Sequence, residues 1–184
     1  RQMGSGNAGG TNAFRTVGPL FALCVITIDV LKGVLAVLLI SKFNFIIHSF
    51  NMPFEVLQIL CAVAAVLGHI YPVYYNFKGG KGAGTLIGIV TILFPECIIY
   101  ALIIWLITLI LTGYVGLGSM LASIMVVFIT FLYYPDGLIS PFGFFSIMIS
   151  LLIFYTHRSN ISRMINGTEN QFKKIMIFKK IFKL

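Results

Sequence analysis

The sequence holds 184 residues, of which 59% are apolar and only 10% charged, with a formal net charge of +8 and a mean hydropathy of +1.00. Ordinary soluble domains are roughly 45–50% apolar and about 25% charged, and disordered chains are poor in the aliphatic and aromatic residues that abound here. A water-soluble globule and a disordered chain are therefore both excluded, and the composition is that of an integral membrane protein.

Residues 1–18 are polar and rich in glycine. Apolar spans then follow at Leu20–Ile40, Phe54–Phe77, Thr85–Phe94, Ile98–Leu111, Leu117–Tyr133 and Phe142–Tyr155. A crossing helix needs about 20 apolar residues, so several of these spans are short. The expectation is an all-α polytopic membrane protein of about six transmembrane helices, with residues 1–184 forming one domain. Cys24, Cys61 and Cys97 lie singly in apolar runs without C-x-x-C spacing, and read as small core hydrophobes. The chain opens on Arg1, already inside the glycine-rich segment, which leads us to expect that a preceding segment is missing.

Basic residues favour the cytoplasmic side of a membrane. If the helices alternate, 11 of the 13 basic residues fall on one side: Arg1, Arg15, Lys78, Lys81, Arg158, Arg163 and the five lysines after residue 170. That places the glycine-rich segments and the C-terminal tail in the cytoplasm. Within residues 170–184, lysine pairs alternate with Ile and Phe from Lys173 to Leu184, a pattern that suits an amphipathic helix on anionic headgroups.

The polar residues concentrate in three segments on that side. The first runs from Gly4 to Arg15 and contains G-x-G-x-x-G at Gly4, Gly6 and Gly9. No βαβ unit can be drawn around it, so a dinucleotide fingerprint is rejected. Glycines still allow backbone N–H groups to converge on an anion. Ser5, Thr11 and Asn12 add side-chain hydrogen bonds, and Arg15 can grip a phosphate with two donors. A flexible linker is the plainer alternative.

The second segment, within 68–85, holds Gly68-His69-Ile70-Tyr71-Pro72 and then Asn76-Phe77-Lys78-Gly79-Gly80-Lys81-Gly82. It fails the P-loop pattern because Gly82, not Ser or Thr, follows Lys81. Two lysines, several glycines and a following helix still make an anion cradle. His69 lies within a span, where packing and hydrogen bonding account for a histidine more often than catalysis does.

The third segment, within 156–169, runs from His157 to Glu169, and on a helix continuing from the last span His157 and Asn160 share a face. They form a catalytic candidate. Asp29 and Lys32 also stand three apart inside a span, where charges are costly, and serve either function or mutual neutralisation. There is no G-x-S-x-G elbow, no cysteine in a polar segment and no H-x₄-D, which argues against an acyl-enzyme and against the soluble-domain type of glycerolipid acyltransferase.

Together the three segments resemble the bacterial acyl-phosphate glycerol-3-phosphate acyltransferase family (PlsY type), whose motifs look like G-S-G-N-x-G-x-T-N-x-x-R, G-H-x-x-P-V-x-x-x-F-K-G-G-K-G and H-R-x-N-I-x-R-x-x-x-G-x-E. They read here as Gly4–Arg15, Gly68–Gly82 and His157–Glu169. The Asp29-x-x-Lys32-Gly33 pattern is similar too. Gly10 and Gly84 stand where the family usually has alanine, and Ser159 where Glu is common. The family resembles a seven-helix protein, and its first helix is the one expected to be missing here.

The resemblance implies transfer of an acyl group from acyl phosphate to the 1-hydroxyl of sn-glycerol 3-phosphate, giving lysophosphatidic acid and phosphate. By motif, it places Ser5, Arg15, Lys81, His157 and Asn160 around glycerol 3-phosphate, with Ser5, Arg15, His157 and Asn160 as the catalytic set. It places Asn7, Thr11, Asn12, Lys78, Gly79, Gly80, Lys81 and Gly82 around acyl phosphate. Either His157 or the acyl phosphate itself serves as the base. No cofactor, metal or nucleic acid is expected; the partners are the two substrates and membrane lipid, in the bacterial cytoplasmic (inner) membrane with the site facing the cytoplasm. The alternative, a small transporter of a phosphorylated solute, fits less well, because transporters bury charge at the midplane of repeated halves.

Overall fold

The computed structural model describes residues 2–42, 52–173, 175 and 176. Among them there is no strand, and eight α-helices carry the fold. They are α1 (Gly10–Thr16), α2 (Pro19–Leu38), α3 (Phe54–Ile70), α4 (Ala83–Leu93), α5 (Glu96–Thr112), α6 (Val115–Tyr133), α7 (Pro141–Thr156) and α8 (Arg158–Ile165).

Each expected apolar span coincides with one of α2 to α7, but length separates them. Pro19–Lys42, Phe54–Tyr75 and Val115–Tyr133 are long and apolar enough to cross a membrane, and α7 with α8 makes a fourth candidate bent by 52°. Helices α4 and α5, at 11 and 17 residues, are shorter. Among the described residues the protein is thus all-helical and built for a membrane, with three or four such helices rather than the six expected. Leu20, Leu23 and Ile28 on α2, and Phe144 and Leu151 on α7, are each more than half exposed. In water such apolar faces would be an aggregation liability; against lipid they are matched.

Two helix ends depart from expectation. The span starting at Phe54 stops being α-helical at Ile70, not Phe77, because Pro72 disfavours the helical region for Tyr71 (φ −121°, ψ 59°). At the other end of the chain, the described residues 171–173, 175 and 176 are not helical. The Phe172 N–H donates to the Gly113 carbonyl at 2.9 Å, Gln171 Nε2 reaches the Thr112 carbonyl at 3.4 Å, and Met176 is buried beside Gly113. The bare carbonyls at the end of α5 draw the backbone into a turn. Lys174 and residues 177–184 of the expected tail helix lie outside the described residues.

The chain divides into two compact units, residues 1–95 and 96–184. In the first, α2 and α4 approach backbone to backbone. A Cβ on Gly33 would strike the Thr85 carbonyl oxygen, and one on Gly88 would strike that of Val30. Small residues permit this contact, which in a bilayer replaces the hydrophobic driving force that lipid removes. Val37, Val66 and Ile89 are fully buried in this unit. In the second unit, Ser123 and Ser150 meet across α6 and α7 with hydroxyls 3.1 Å apart, and Phe142 and Ile153 are buried. Helix α7 begins cleanly, with Pro141 at its first position and the Ser140 hydroxyl accepting the Gly143 N–H at 2.9 Å.

Candidate functional site

The first polar segment is a turn locked onto α1 by one side chain. The Asn12 carboxamide oxygen accepts the Ser5 N–H at 2.8 Å and the Ser5 hydroxyl at 3.1 Å, while Asn12 Nδ2 donates to the Met3 carbonyl at 3.1 Å. Gly4 (φ +62°) and Gly6 (φ +71°) supply the left-handed backbone this turn requires. Asn12 therefore shapes the loop from within, holding Ser5 on the exposed side. Arg15, one turn further along α1, is exposed as well. Asn7 and Thr11 are half-buried.

The second segment returns from the end of α3 to the start of α4. The Gly80 N–H donates to the His69 carbonyl at 3.1 Å and the Gly79 N–H to the Ile70 carbonyl at 3.0 Å. Those two donors satisfy the last carbonyls of α3, so they hold the loop in shape rather than pointing at an anion. The loop then turns at Gly82 (φ +89°) straight into α4. Asn76 (φ +51°) and Phe77 (φ +58°) also sit in the left-handed region, which for a bulky residue such as Phe77 stores strain. Lys78 is exposed and Lys81 half-buried, both at the loop surface.

The third segment is a bend with a buried polar network. Helix α7 ends at Thr156, and α8 leaves at 52°, so His157 is the hinge between two helices rather than part of one continuous helix. His157 is 4% exposed and Asn160 7%. The Asn160 N–H donates to the His157 carbonyl at 2.8 Å, which draws the two residues together across the bend. His157 Nδ1 lies 2.8 Å from the Ile153 carbonyl, which can only accept, so Nδ1 carries a proton, and whenever the ring is neutral Nε2 is its acceptor nitrogen. Asn160 Nδ2 donates to Glu169 Oε1 at 3.1 Å, and Arg163 Nε to Glu169 Oε2 at 2.6 Å. Arg158 is held elsewhere, donating to the Tyr155 carbonyl at 2.9 Å and stacking over that residue's ring.

Residues 1–167 match the glycerol-3-phosphate acyltransferase family, which is most of the sequence, the first two polar segments and the third as far as Gly167. The chain belongs to that family. Among its relatives, a glycerol-3-phosphate acyltransferase of Fusobacterium nucleatum is 33% identical, over 94% of this chain and 84% of its own. One of Aquifex aeolicus is 38% identical over the same shares, and glycerol-3-phosphate acyltransferase 2 of Bacillus anthracis is 40% identical over 93% and 83%. The crystal structure of PlsY (YgiH), an integral membrane glycerol 3-phosphate acyltransferase in its glycerol 3-phosphate form, is similar with a TM-score of 0.79 at 34% identity. It covers 94% of this chain and 81% of that one. Its lysophosphatidic acid form gives 0.76.

Within the family frame, the structure gathers the candidate residues in two sets. Ser5, Asn7, Thr11, Asn12, Arg15, Lys78, Gly79, Gly80, Lys81 and Gly82 belong to the first unit, and His157 and Asn160 to the second. Sequence reasoning missed two partners. Glu169 was seen only as the last letter of the third motif, yet its side chain is 4% exposed and holds both Asn160 and Arg163. His69, Asp29 and Lys32 form one cluster: Asp29 Oδ1 lies 3.3 Å from His69 Nδ1 and 2.7 Å from Lys32 Nζ. The signal for Glu169 was available, since an acid that closes a motif containing arginine needs a partner. The Asp29–His69 contact had no sequence signal, because it joins two different helices.

Proposed function

We propose that this protein transfers an acyl group from an acyl phosphate to the 1-hydroxyl of sn-glycerol 3-phosphate, releasing lysophosphatidic acid and inorganic phosphate. In the reaction the hydroxyl oxygen bonds to the carbonyl carbon, and the bond from that carbon to the phosphoryl oxygen breaks. Phosphate is a good leaving group, so catalysis needs mainly positioning and charge stabilisation. The 1-hydroxyl must also give up its proton. The observation that carries the reading is the His157 Nδ1 contact to the Ile153 carbonyl, which leaves Nε2 of a neutral ring to accept a proton, beside Asn160 in a chain of this family.

In this reading Ser5, Arg15, Lys81, His157 and Asn160 bind glycerol 3-phosphate, with Ser5, Arg15, His157 and Asn160 as the catalytic set. His157 Nε2 accepts the hydroxyl's hydrogen bond and takes its proton. The acyl phosphate is assigned to Lys78, Lys81 and the backbone of Gly79, Gly80 and Gly82, with Asn7, Thr11 and Asn12 beside it. Because the Gly79 and Gly80 N–H groups already bond to α3, those glycines contribute close backbone approach, not donors. No cofactor enters this scheme.

The reading extends to the whole chain as one acyltransferase domain with six membrane-embedded helices, α2 to α7, in the bacterial cytoplasmic membrane. The positions of Arg15, Lys78, Lys81, Arg158 and Arg163 support a site on the cytoplasmic side. With 11 residues at a 1.5 Å rise, α4 reaches only about 16 Å. That is about half the thickness of a hydrocarbon core of about 30 Å.

Purified protein in lipid nanodiscs, given palmitoyl phosphate and glycerol 3-phosphate, is expected to form lysophosphatidate and phosphate in equal amounts. Product from acyl coenzyme A at the same rate, or none from acyl phosphate, would overturn the donor assignment.

A further inference from the structure

The glycine loop of the second segment has a buried connection to α2 that none of the roles above uses. His69, in the last turn of α3, is 9% exposed, and its two ring edges face different things. Nδ1 lies 3.3 Å from Asp29 Oδ1 on α2. The opposite edge lies against Gly80: a Cβ built there would overlap Nε2 and come within 2.6 Å of Cε1 and 3.0 Å of Cδ2. His69 also holds the loop by its backbone, through the Gly80 N–H to His69 carbonyl bond. Beyond the loop, a Cβ on Gly84 would come within 2.8 Å of Asp29 Cβ. Asp29 thus stands behind the loop twice, through the His69 ring at its entry and directly at its exit. Lys32 Nζ at 2.7 Å already balances the aspartate's charge, so His69 is not needed there as a counter-ion.

We propose that His69, oriented by Asp29, is a positioning residue that clamps the glycine loop, so that the loop holds its phosphoryl ligand in one fixed geometry. The imidazole is a flat wall against which only a glycine fits, and the aspartate stops that wall from rotating. The ligand chemistry is a phosphate monoanion or dianion, common to acyl phosphate and glycerol 3-phosphate, and the proposal rests on the acyltransferase reading only for its kinetic arm.

The test compares wild type, His69→Ala, His69→Asn, Gly80→Ala and the Gly80→Ala/His69→Ala double variant in nanodiscs. KM and kcat are measured separately for each substrate. Loss of folded enzyme lowers the apparent kcat and leaves KM alone, whereas a mispositioned loop raises KM. His69→Ala is expected to raise KM for at least one phosphorylated substrate about tenfold with kcat within about threefold, and the substrate affected identifies the loop's ligand. His69→Asn, whose carboxamide can still donate to Asp29, should recover most of that loss. The double variant should cost less than the two single changes combined, because the alanine then has no ring to meet. A second readout does not depend on turnover: trypsin cleavage after Lys78 or Lys81, followed by mass spectrometry, should run about tenfold faster in His69→Ala. Unchanged KM values together with unchanged cleavage would overturn the clamp. A wild type that makes no lysophosphatidate would instead overturn the acyltransferase reading, with the cleavage rates still deciding the clamp.

Discussion

The unit of residues 1–95 and the unit of residues 96–184 build their polar sites by opposite means. In the first, main chain meets main chain: Gly79 and Gly80 lie on the carbonyls that end α3, and Asn12 and His69 reach in to hold the loops. In the second, side chains do the work, with the buried His157 and Asn160, Glu169 and the half-buried Arg163 bonded to one another or to the backbone at a bend between two helices. A site made of backbone contact fails by steric intrusion, because carbonyls cannot step aside. A site made of side chains fails by loss of a specific atom. The two units should therefore respond to different kinds of substitution.

The largest effect is expected where added volume meets backbone. A Cβ on Gly79 would overlap the His69 carbonyl oxygen and come within 2.6 Å of both the Ile70 carbonyl oxygen and Pro72 Cδ. Gly79→Ala should cut lysophosphatidate formation by about 10³-fold or more, since relief demands that the end of α3 move. The rate is to be normalised to monodisperse protein from size exclusion. Activity within tenfold of wild type would show that the loop bends freely and would erase the contrast between the units.

In the second unit the decisive change is chemical. His157→Ala keeps the helix bend but removes the Nε2 acceptor, and kcat should fall by about 10²–10⁴-fold, the range of a lost general base. A base must be unprotonated to act, so the wild-type rate falls as pH drops, and that acidic limb should be missing in the variant. An unchanged limb would hand the proton to a phosphate oxygen and leave His157 as an orienting group.

Arg15→Ala comes next. Arg15 is exposed and contributes charge rather than shape. Losing a charge-assisted contact to a phosphate should raise KM for glycerol 3-phosphate by about 10–100-fold with kcat little changed. Arg15→Lys should recover part of this, because a point charge lacks the two-donor fork. A wild-type KM in Arg15→Ala would remove the residue from the site.

Much of this was legible in the residues alone. The apolar spans mark α2 to α7 to within a few positions because bilayer burial enforces long uncharged runs, and the three polar segments stand out against them. The end of α3 at Ile70 was hidden because Val73, Tyr74 and Tyr75 prolong the apolar run past Pro72, and hydropathy does not register the backbone restriction proline imposes. The bend at His157 left no trace, since neither proline nor glycine marks it. Nor could spacing reveal that Gly79 and Gly80 have their N–H groups engaged by α3, which depends on where the loop returns. What reads poorly in a sequence is contact between distant elements, and the Asp29–His69 pair is of that kind, whereas Glu169 stands six residues from its arginine in one motif.

The smallest effect should come from a glycine that motif reasoning ranks with the others. Gly68 precedes His69 in the second segment, yet a Cβ there meets nothing within 4 Å, and its backbone lies in the regular helix α3 with no positive φ. Alanine is favoured over glycine inside a helix by roughly 0.8–1 kcal/mol, so Gly68→Ala carries no steric cost and a small gain in helix stability. Its activity is expected within about twofold of wild type, beside the about 10³-fold loss at Gly79, although the two glycines are eleven positions apart in one motif. The pair isolates backbone contact from motif membership, since both substitutions add the same methyl group. A loss of more than about tenfold in Gly68→Ala would mean that substrate or lipid needs the bare backbone at that exposed face. The rule that a glycine matters here only where other atoms lie against it would then be broken.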